Sequence, residues 1–366
     1  MKRMETGMRR KIFLWLGAAA FCVGCLRAQE PWKIGSVQAA AGERQSGYLQ
    51  VPKGSDGETR IPITLINGAR PGPTLALVAG NHGYEYPPIL ATERIITKID
   101  PRGLSGRLIV VHIANLPSFL KRTIYYSPVD GLNLNRVYPG RKDGTISYRI
   151  AYVITKEVIE AADYLVDLHC GDGNESLRPY SYWMPIGEPR VDELSRQLTL
   201  AFGMENIVID RMRPKDAEAS LYCSNTAVTR GKPATTVESG GMGISNDEES
   251  IARLERGIEN VMRHLRMIEG KAEMPEHPKW YEPTEVLRFP DNLPEKAGLF
   301  YPLAKMTQMV AKDAVLGYVT DFFGKRIFDV RAPFAGEVLY IIGTPPVSTG
   351  EPLAFVGAIA KAPEHR

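Results

Sequence analysis

His82 and Glu85 lie three residues apart within Gly80-Asn81-His82-Gly83-Tyr84-Glu85. An imidazole nitrogen and a carboxylate oxygen at that spacing can bend toward one point. Such a point suits a zinc ion, which accepts both donor types and needs a third protein ligand. The apolar run at 75–79 reads as a buried strand, and Pro87-Pro88-Ile89-Leu90-Ala91 reads as the start of a helix. The pair therefore falls at a strand-to-helix turn, where the flanking glycines allow a sharp bend. His-x-x-Glu is common by chance, so its weight depends on partners elsewhere in the chain.

The third ligand candidate is His169, at the end of Tyr164-Leu165-Val166-Asp167-Leu168-His169 and just before Gly171-Asp172-Gly173-Asn174. A strand end followed by a turn signal is where open α/β sheets place their ligands. The period of two puts Asp167 on the same face, where it could orient the imidazole or simply cap the loop. Glu238 ends the β-rich run Ala234-Thr235-Thr236-Val237 before a Gly-Gly pair. A carboxylate there is suited to general base work beside a metal. Between these pieces, Asn135 and Arg136 could clamp a carboxylate through an amide and a guanidinium fork. Arg122 could polarise a carbonyl oxygen. His112 reads as a packed core histidine, His264 as structural on an amphipathic helix, and His277 and His365 as solvated.

Taken together, Gly-Asn-His-Gly-Tyr-Glu, Asn133-Leu134-Asn135-Arg136 followed by Tyr138-Pro139-Gly140, Asp-Leu-His and Val-Glu-Ser-Gly resemble the succinylglutamate desuccinylase and aspartoacylase family of the zinc carboxypeptidase superfamily. The resemblance runs from about residue 61 to about 266. It implies one Zn2+ per chain on His82, Glu85 and His169, with Glu238 as general base. It also implies Asn135 and Arg136 on a substrate carboxylate and Arg122 at the scissile carbonyl. Two features depart from the pattern. No arginine occurs between Thr123 and Asn135, and Asn133 stands where many members have an aspartate. The activity implied is deacylation of an N-acyl amino acid or a related small amide bearing a carboxylate. A zinc carboxypeptidase acting on peptides or cell-wall fragments would use nearly the same residues, and a binding module without catalysis is the third reading.

The remaining sequence frames this site. The expected fold is α/β, a mixed sheet flanked by helices and followed by a small all-β, barrel-like region. Strands are expected at 75–78, 108–113, 164–168, 207–209 and 235–237, and helices at 88–98, 147–161, 191–201 and 248–266. Residues 1–28 read as a signal peptide, with a basic start and a short apolar run, and direct the chain to the periplasm or outside. Lipid anchoring at Cys25, which would bring a membrane partner, is the second reading, and an uncleaved membrane anchor is the third. Without those residues the formal charge falls from +3 to −2, so the chain has no basic excess for nucleic acid. The hydrolase region spans 29–270, a Pro-interrupted linker 271–284 and a β region 285–366. The last resembles biotinyl/lipoyl-like barrels, but its turn Gly343-Thr344-Pro345-Pro346 carries no lysine for a swinging arm. It would instead cap the site or support a homo-oligomer contact. Cys170 and Cys223 could pair in an oxidising compartment, a question spacing leaves open.

Overall fold

The computed structural model describes residues 31–363, so the expected signal segment, Cys25 and His365 lie outside it. A single 13-stranded mixed sheet dominates the chain. At its centre Ala234–Glu238, Tyr164–His169, Arg70–Ala79 and Ser105–Val111 run parallel as neighbours. Such strands need apolar residues on both faces. Residues 75 to 79 are accordingly all fully buried, and their alternation divides them between two cores. Leu75, Leu77 and Ala79 pack on one side with Ile95, Leu254 and Ile258. Ala76 and Val78 pack on the other with Ile150, Ile154 and Ala227.

Helices Tyr86–Lys98 and Glu248–His264 supply the first of those layers, and Ile146–Val153 and Cys223–Val228 supply the second. Asp247 caps its helix by accepting from Ser250 N, and Glu248 and Glu249 follow in the first turn, favourably placed against the helix dipole. The helix expected at 147–161 is regular only to Val153 and widens into a π-turn over Ile154–Ile159. Glu160 N then donates to Thr155 O at 3.0 Å. Among the described residues, no helix is long and apolar enough to cross a membrane.

The C-terminal residues do not hang from a free linker. The strand Lys279–Arg288 begins inside the expected 271–284 segment and pairs in parallel with Asn206–Ile209. Trp280 and Tyr281 are buried there, which favours a strand despite the prolines nearby. The register breaks between Tyr281 and Thr284, across Pro283, which has no N–H to give the ladder. Pro352–Ala360 and Gly336–Ile342 then extend the same sheet. A four-stranded sheet formed by Ala297–Pro302, Val315–Thr320, Arg326–Arg331 and Pro346–Ser348 covers a further core of Phe289, Phe300, Leu316, Val338 and Leu353.

One pairing links that region to the centre of the molecule. Glu175–Leu177, in the loop after His169, lies antiparallel to Gly336–Ile342. The carboxyl ends of the parallel strands and the C-terminal strands are thereby held around one space.

Candidate metal centre and active site

The turn after Arg70–Ala79 is tight because two glycines permit it. Gly80 adopts φ +71°, and a Cβ at Gly83 would lie 2.1 Å from Phe119 N. Glu85 occupies the N-cap of the helix that follows but makes no capping bond. Its carboxylate turns instead toward the sheet and bridges two imidazoles. Oε1 lies 2.7 Å from His82 Nδ1, and Oε2 lies 2.8 Å from His169 Nδ1. The ligand atoms of the three side chains all fall within 4.8 Å of one another, and all three residues are buried.

The far nitrogens of both rings face acceptors. His169 Nε2 is 3.0 Å from Asp167 Oδ1, and His82 Nε2 is 3.1 Å from Asn133 Oδ1. Asn135 Nδ2 also approaches His169 Nε2, at 3.2 Å. The Asn135 amide is oriented by Cys223 N, which donates to its Oδ1 at 2.8 Å, so Nδ2 is a donor and cannot accept. Asp167 Oδ1 is therefore the acceptor open to a proton on Nε2. Nδ1 of both rings is then the nitrogen on the Glu85 side, where a shared cation would sit. Asn81 holds Asp167 in turn, donating from Nδ2 at 2.8 Å, and Tyr138 OH donates to Asn81 Oδ1 at 2.9 Å.

Electrostatics point the same way. Burial opposes the charge on Glu85, but the two imidazoles overcome it and hold the carboxyl at about 2. Burial likewise opposes a charged His169, yet Asp167 and Glu85 raise its pKa well above the ordinary value. The pocket concentrates acidic groups around the two imidazoles, a setting that favours a bound cation. Two nitrogens and a carboxylate fit zinc and related first-row divalent ions.

Glu238 reaches this group by strand register, its Cα paired with that of His169. It lines the adjoining cavity, and enclosure there, reinforced by Glu85, raises its pKa well above the usual carboxyl value despite the opposing pull of His169. The cavity is about 570 Å³ and is also lined by His82, Glu85, Arg136 and a set of tyrosines. Arg136 opens onto it above the Tyr222 ring, at 4.5 Å from the centroid.

Two expected residues behave differently. Asn135 is buried behind the wall, its amide engaged with Cys223 N, while its own carbonyl accepts from Arg136 Nη1 at 2.7 Å. The expected Asn–Arg clamp is thus presented to the cavity by Arg136 alone. Arg122 does not join the group. It ends the helix Leu116–Lys121 in a left-handed conformation and lies in a surface hollow with Tyr86, Leu90 and Phe119. It is not among the residues lining the cavity beside the metal candidates.

Several participants were not foreseen. Asp172 and Glu175 are buried acids tied to Tyr125, whose N–H donates to Asp172 Oδ2 and whose hydroxyl donates to Glu175 Oε1. Burial and the nearby Glu85 lift Asp172 to about 7. Their position directly after His169 was the available signal. Arg213 and Tyr182 on one wall, and Arg288, Tyr340 and Phe355 on the other, had no comparable signal. Cys170 and Cys223 are both buried free thiols. The sole His/Glu cluster of metal-binding geometry among the described residues is His82, Glu85 and His169.

The family model for the succinylglutamate desuccinylase/aspartoacylase catalytic domain matches residues 71–265, the segment that builds this centre. The chain belongs to that family. A curated relative, the N-alpha-acetyl-L-2,4-diaminobutyric acid deacetylase of Halomonas elongata, is 34% identical over 244 residues, covering 65% of this chain and 68% of that protein. The product-bound ectoine utilization protein EutE (DoeB) of Ruegeria pomeroyi superposes with a TM-score of 0.72 at 28% identity, over 86% of this chain and 95% of that one. A succinylglutamate desuccinylase/aspartoacylase structure from Rhodobacter sphaeroides gives 0.74 at 25% identity, over 87% and 96%. These likenesses extend beyond residues 71–265, so the family fold includes much of the C-terminal β region as well.

Proposed function

We propose that this protein is an exported zinc amidohydrolase that removes the acyl group from an N-acyl amino acid or a similar small amide bearing a carboxylate. The observation that carries the reading is the convergence of His82, Glu85 and His169 beside Glu238, at one cavity that also exposes Arg136. The named deacetylase among its relatives supports the reaction class. A cavity of about 570 Å³, walled on one side by C-terminal strands, suits a small molecule better than a peptide chain. Export rests on residues 1–28 alone.

His82, Glu85 and His169 would hold the zinc, which when bound supplies Lewis acidity toward a carbonyl and acidifies water. With zinc bound, Asp167 and Asn133 would accept from Nε2 of the two imidazoles and leave Nδ1 to the ion. Arg136 takes the substrate carboxylate on its guanidinium and sets the amide against Glu238. Glu238 accepts a proton from the attacking water and passes it to the departing amine nitrogen. Its raised proton affinity suits the second half of that task.

The test pairs metal analysis with a substrate panel. Purified protein should hold about one zinc per chain, and His82→Ala should lose it. Glu238→Gln should keep the metal while hydrolysis of N-acetyl amino acids falls by about 10²–10⁴-fold. Turnover close to the parent in Glu238→Gln would reject Glu238 as the base. Faster cleavage of dipeptides than of N-acetyl amino acids would favour the carboxypeptidase reading.

A further inference from the structure

Helix Tyr86–Lys98 packs one face on Glu248–His264, where its cations Arg94 and Lys98 pair with Glu248 and Glu255. Another face stays uncovered. Tyr86, Leu90 and Glu93 recur along it at helical spacing and, with Phe119, Leu120 and Arg122, line an open hollow of about 350 Å³. Leu120 is 61% exposed, and Ile244, next to the hollow-lining Ser245, is 51% exposed. Exposed apolar side chains scattered singly need no explanation, but a group of them on one surface marks an interaction site. A second hollow, of about 340 Å³, shares Glu93 and extends past Ile96 and Ile63 to Tyr48 on the edge strand Glu43–Gly54.

The first hollow is polarised. Arg122 is its one cation and Glu93 its one acid, and neither makes an ion pair among the described residues. Arg122 lies at the Tyr86 end, close enough to act on that phenol through its charge. Glu93 stands two helical turns further on, about 10 Å along the axis. The surface therefore runs from a free guanidinium, across apolar side chains, to a free carboxylate. A half-turn about an axis through its middle sets each end against its opposite, so the surface is complementary to its own copy.

We infer that this face of Tyr86–Lys98 and Leu116–Lys121 is the isologous interface of a homodimer, closed by two Arg122–Glu93 pairs around a centre of Leu90 and Leu120. The inference holds whatever the substrate, so it stands apart from the deacylase reading. It places the contact between copies on the helices rather than on the C-terminal strands. A stable dimer buries about 1,200–2,000 Å² in total, so the contact extends beyond the first hollow along the second. The uncovered helix begins directly after Glu85, and the dimer braces the segment that carries this metal-ligand candidate.

Sedimentation velocity of the purified protein across a wide concentration range tests it, and a dimer is expected. Arg122→Glu and Glu93→Arg should each raise the dimer dissociation constant by about tenfold or more, because each sets like charges together at two symmetric points. The double variant restores opposite charges at both points and should return to within about threefold of the parent. Leu120→Asp should be monomeric. Circular dichroism and metal content should match the parent in all four, since the changes lie on the surface. A parent that stays monomeric overturns the inference, as does a dimer that both single reversals leave intact. Failure of the double variant to recover overturns it too, because a merely structural effect of either change would not be rescued by the other. Phe323, 96% exposed on the turn before Arg326–Arg331, supplies the control. Loss of the dimer in Phe323→Ser with its retention in Leu120→Asp would put the contact on another surface and overturn the assignment.

Discussion

His112 and His169 are both buried at the central sheet, yet their environments drive them in opposite directions. His112 faces hydroxyls only, with Nε2 2.8 Å from Thr64 Oγ1 and Nδ1 3.2 Å from Thr92 Oγ1. Burial is unopposed there and depresses its pKa to about 4. His169 faces Asp167 and Glu85, and their charges reverse the effect of a deeper burial. The same ring is a neutral filler in one place and part of a cation-seeking cluster in the other. Burial alone is silent about chemistry, and the charge of the partners decides it.

The largest effect that would sharpen this contrast is on stability. Below its ordinary value near 6.5, an unfolded His112 binds a proton, while the folded one stays neutral down to about 4. The unfolded state holds more protons across that window, so stability falls as pH drops from 6.5 to 4 and the contribution is flat outside it. The shift corresponds to about 3 kcal/mol. Urea unfolding of metal-free protein at pH 7 and pH 4.5 should show a steeper acid loss in the parent than in His112→Gln. Equal slopes would mean that the Thr64–His112–Thr92 contact already accommodates the charged ring.

How much of this contrast could be read beforehand differs between the two histidines and the rest of the site. The apolar run, the glycines and the acid at each strand end mark His82, Glu85, His169 and Glu238 locally, because strand period and turn chemistry act over a few residues. The helix starting at Tyr86 and the strand ending at His169 lie close to where the pattern sets them. Side-chain direction is not local. Arg122 sits in a surface hollow at a left-handed helix end that no composition rule marks, and the Asn135 amide is engaged by Cys223 N, 88 residues away. Arg288 enters the cavity because Lys279–Arg288 joins Asn206–Ile209, a pairing across a Pro-rich stretch that reads as a break. Long-range adjacency in a mixed sheet carries no periodic signature within either strand.

The next prediction concerns the acceptors behind the ligand rings. Asp167 and Asn133 hold equivalent positions behind His169 and His82, one charged and one neutral. Asp167→Asn should lower zinc affinity by about 10–100-fold, measured by competition with a chromogenic chelator, with the fold intact by circular dichroism. Asn133→Asp should shift affinity the opposite way by a smaller factor, because His82 then donates to a charged acceptor. Unchanged affinity in Asp167→Asn would remove the distinction between the two histidine environments, since Asp167 would then be no more than another buried partner.

The smallest effect is expected at Arg122, where the comparison sets a residue near the site in sequence against those in it. Its φ of 55° places it in the left-handed region, and its N–H closes the helix by bonding Phe119 O. Replacing it by glycine relieves strain of about 1–2 kcal/mol. The replacement also frees the unfolded chain, at a cost of about 0.5–1 kcal/mol. Arg122→Gly should therefore be neutral to slightly stabilising, and kcat/KM toward N-acyl amino acids should change by less than about twofold. Polarisation of the carbonyl would then fall to groups that line the cavity, the bound ion foremost. A loss of activity beyond about tenfold, with stability unchanged, would show that the 116–122 segment moves when substrate enters and brings a distant guanidinium to the reacting carbonyl.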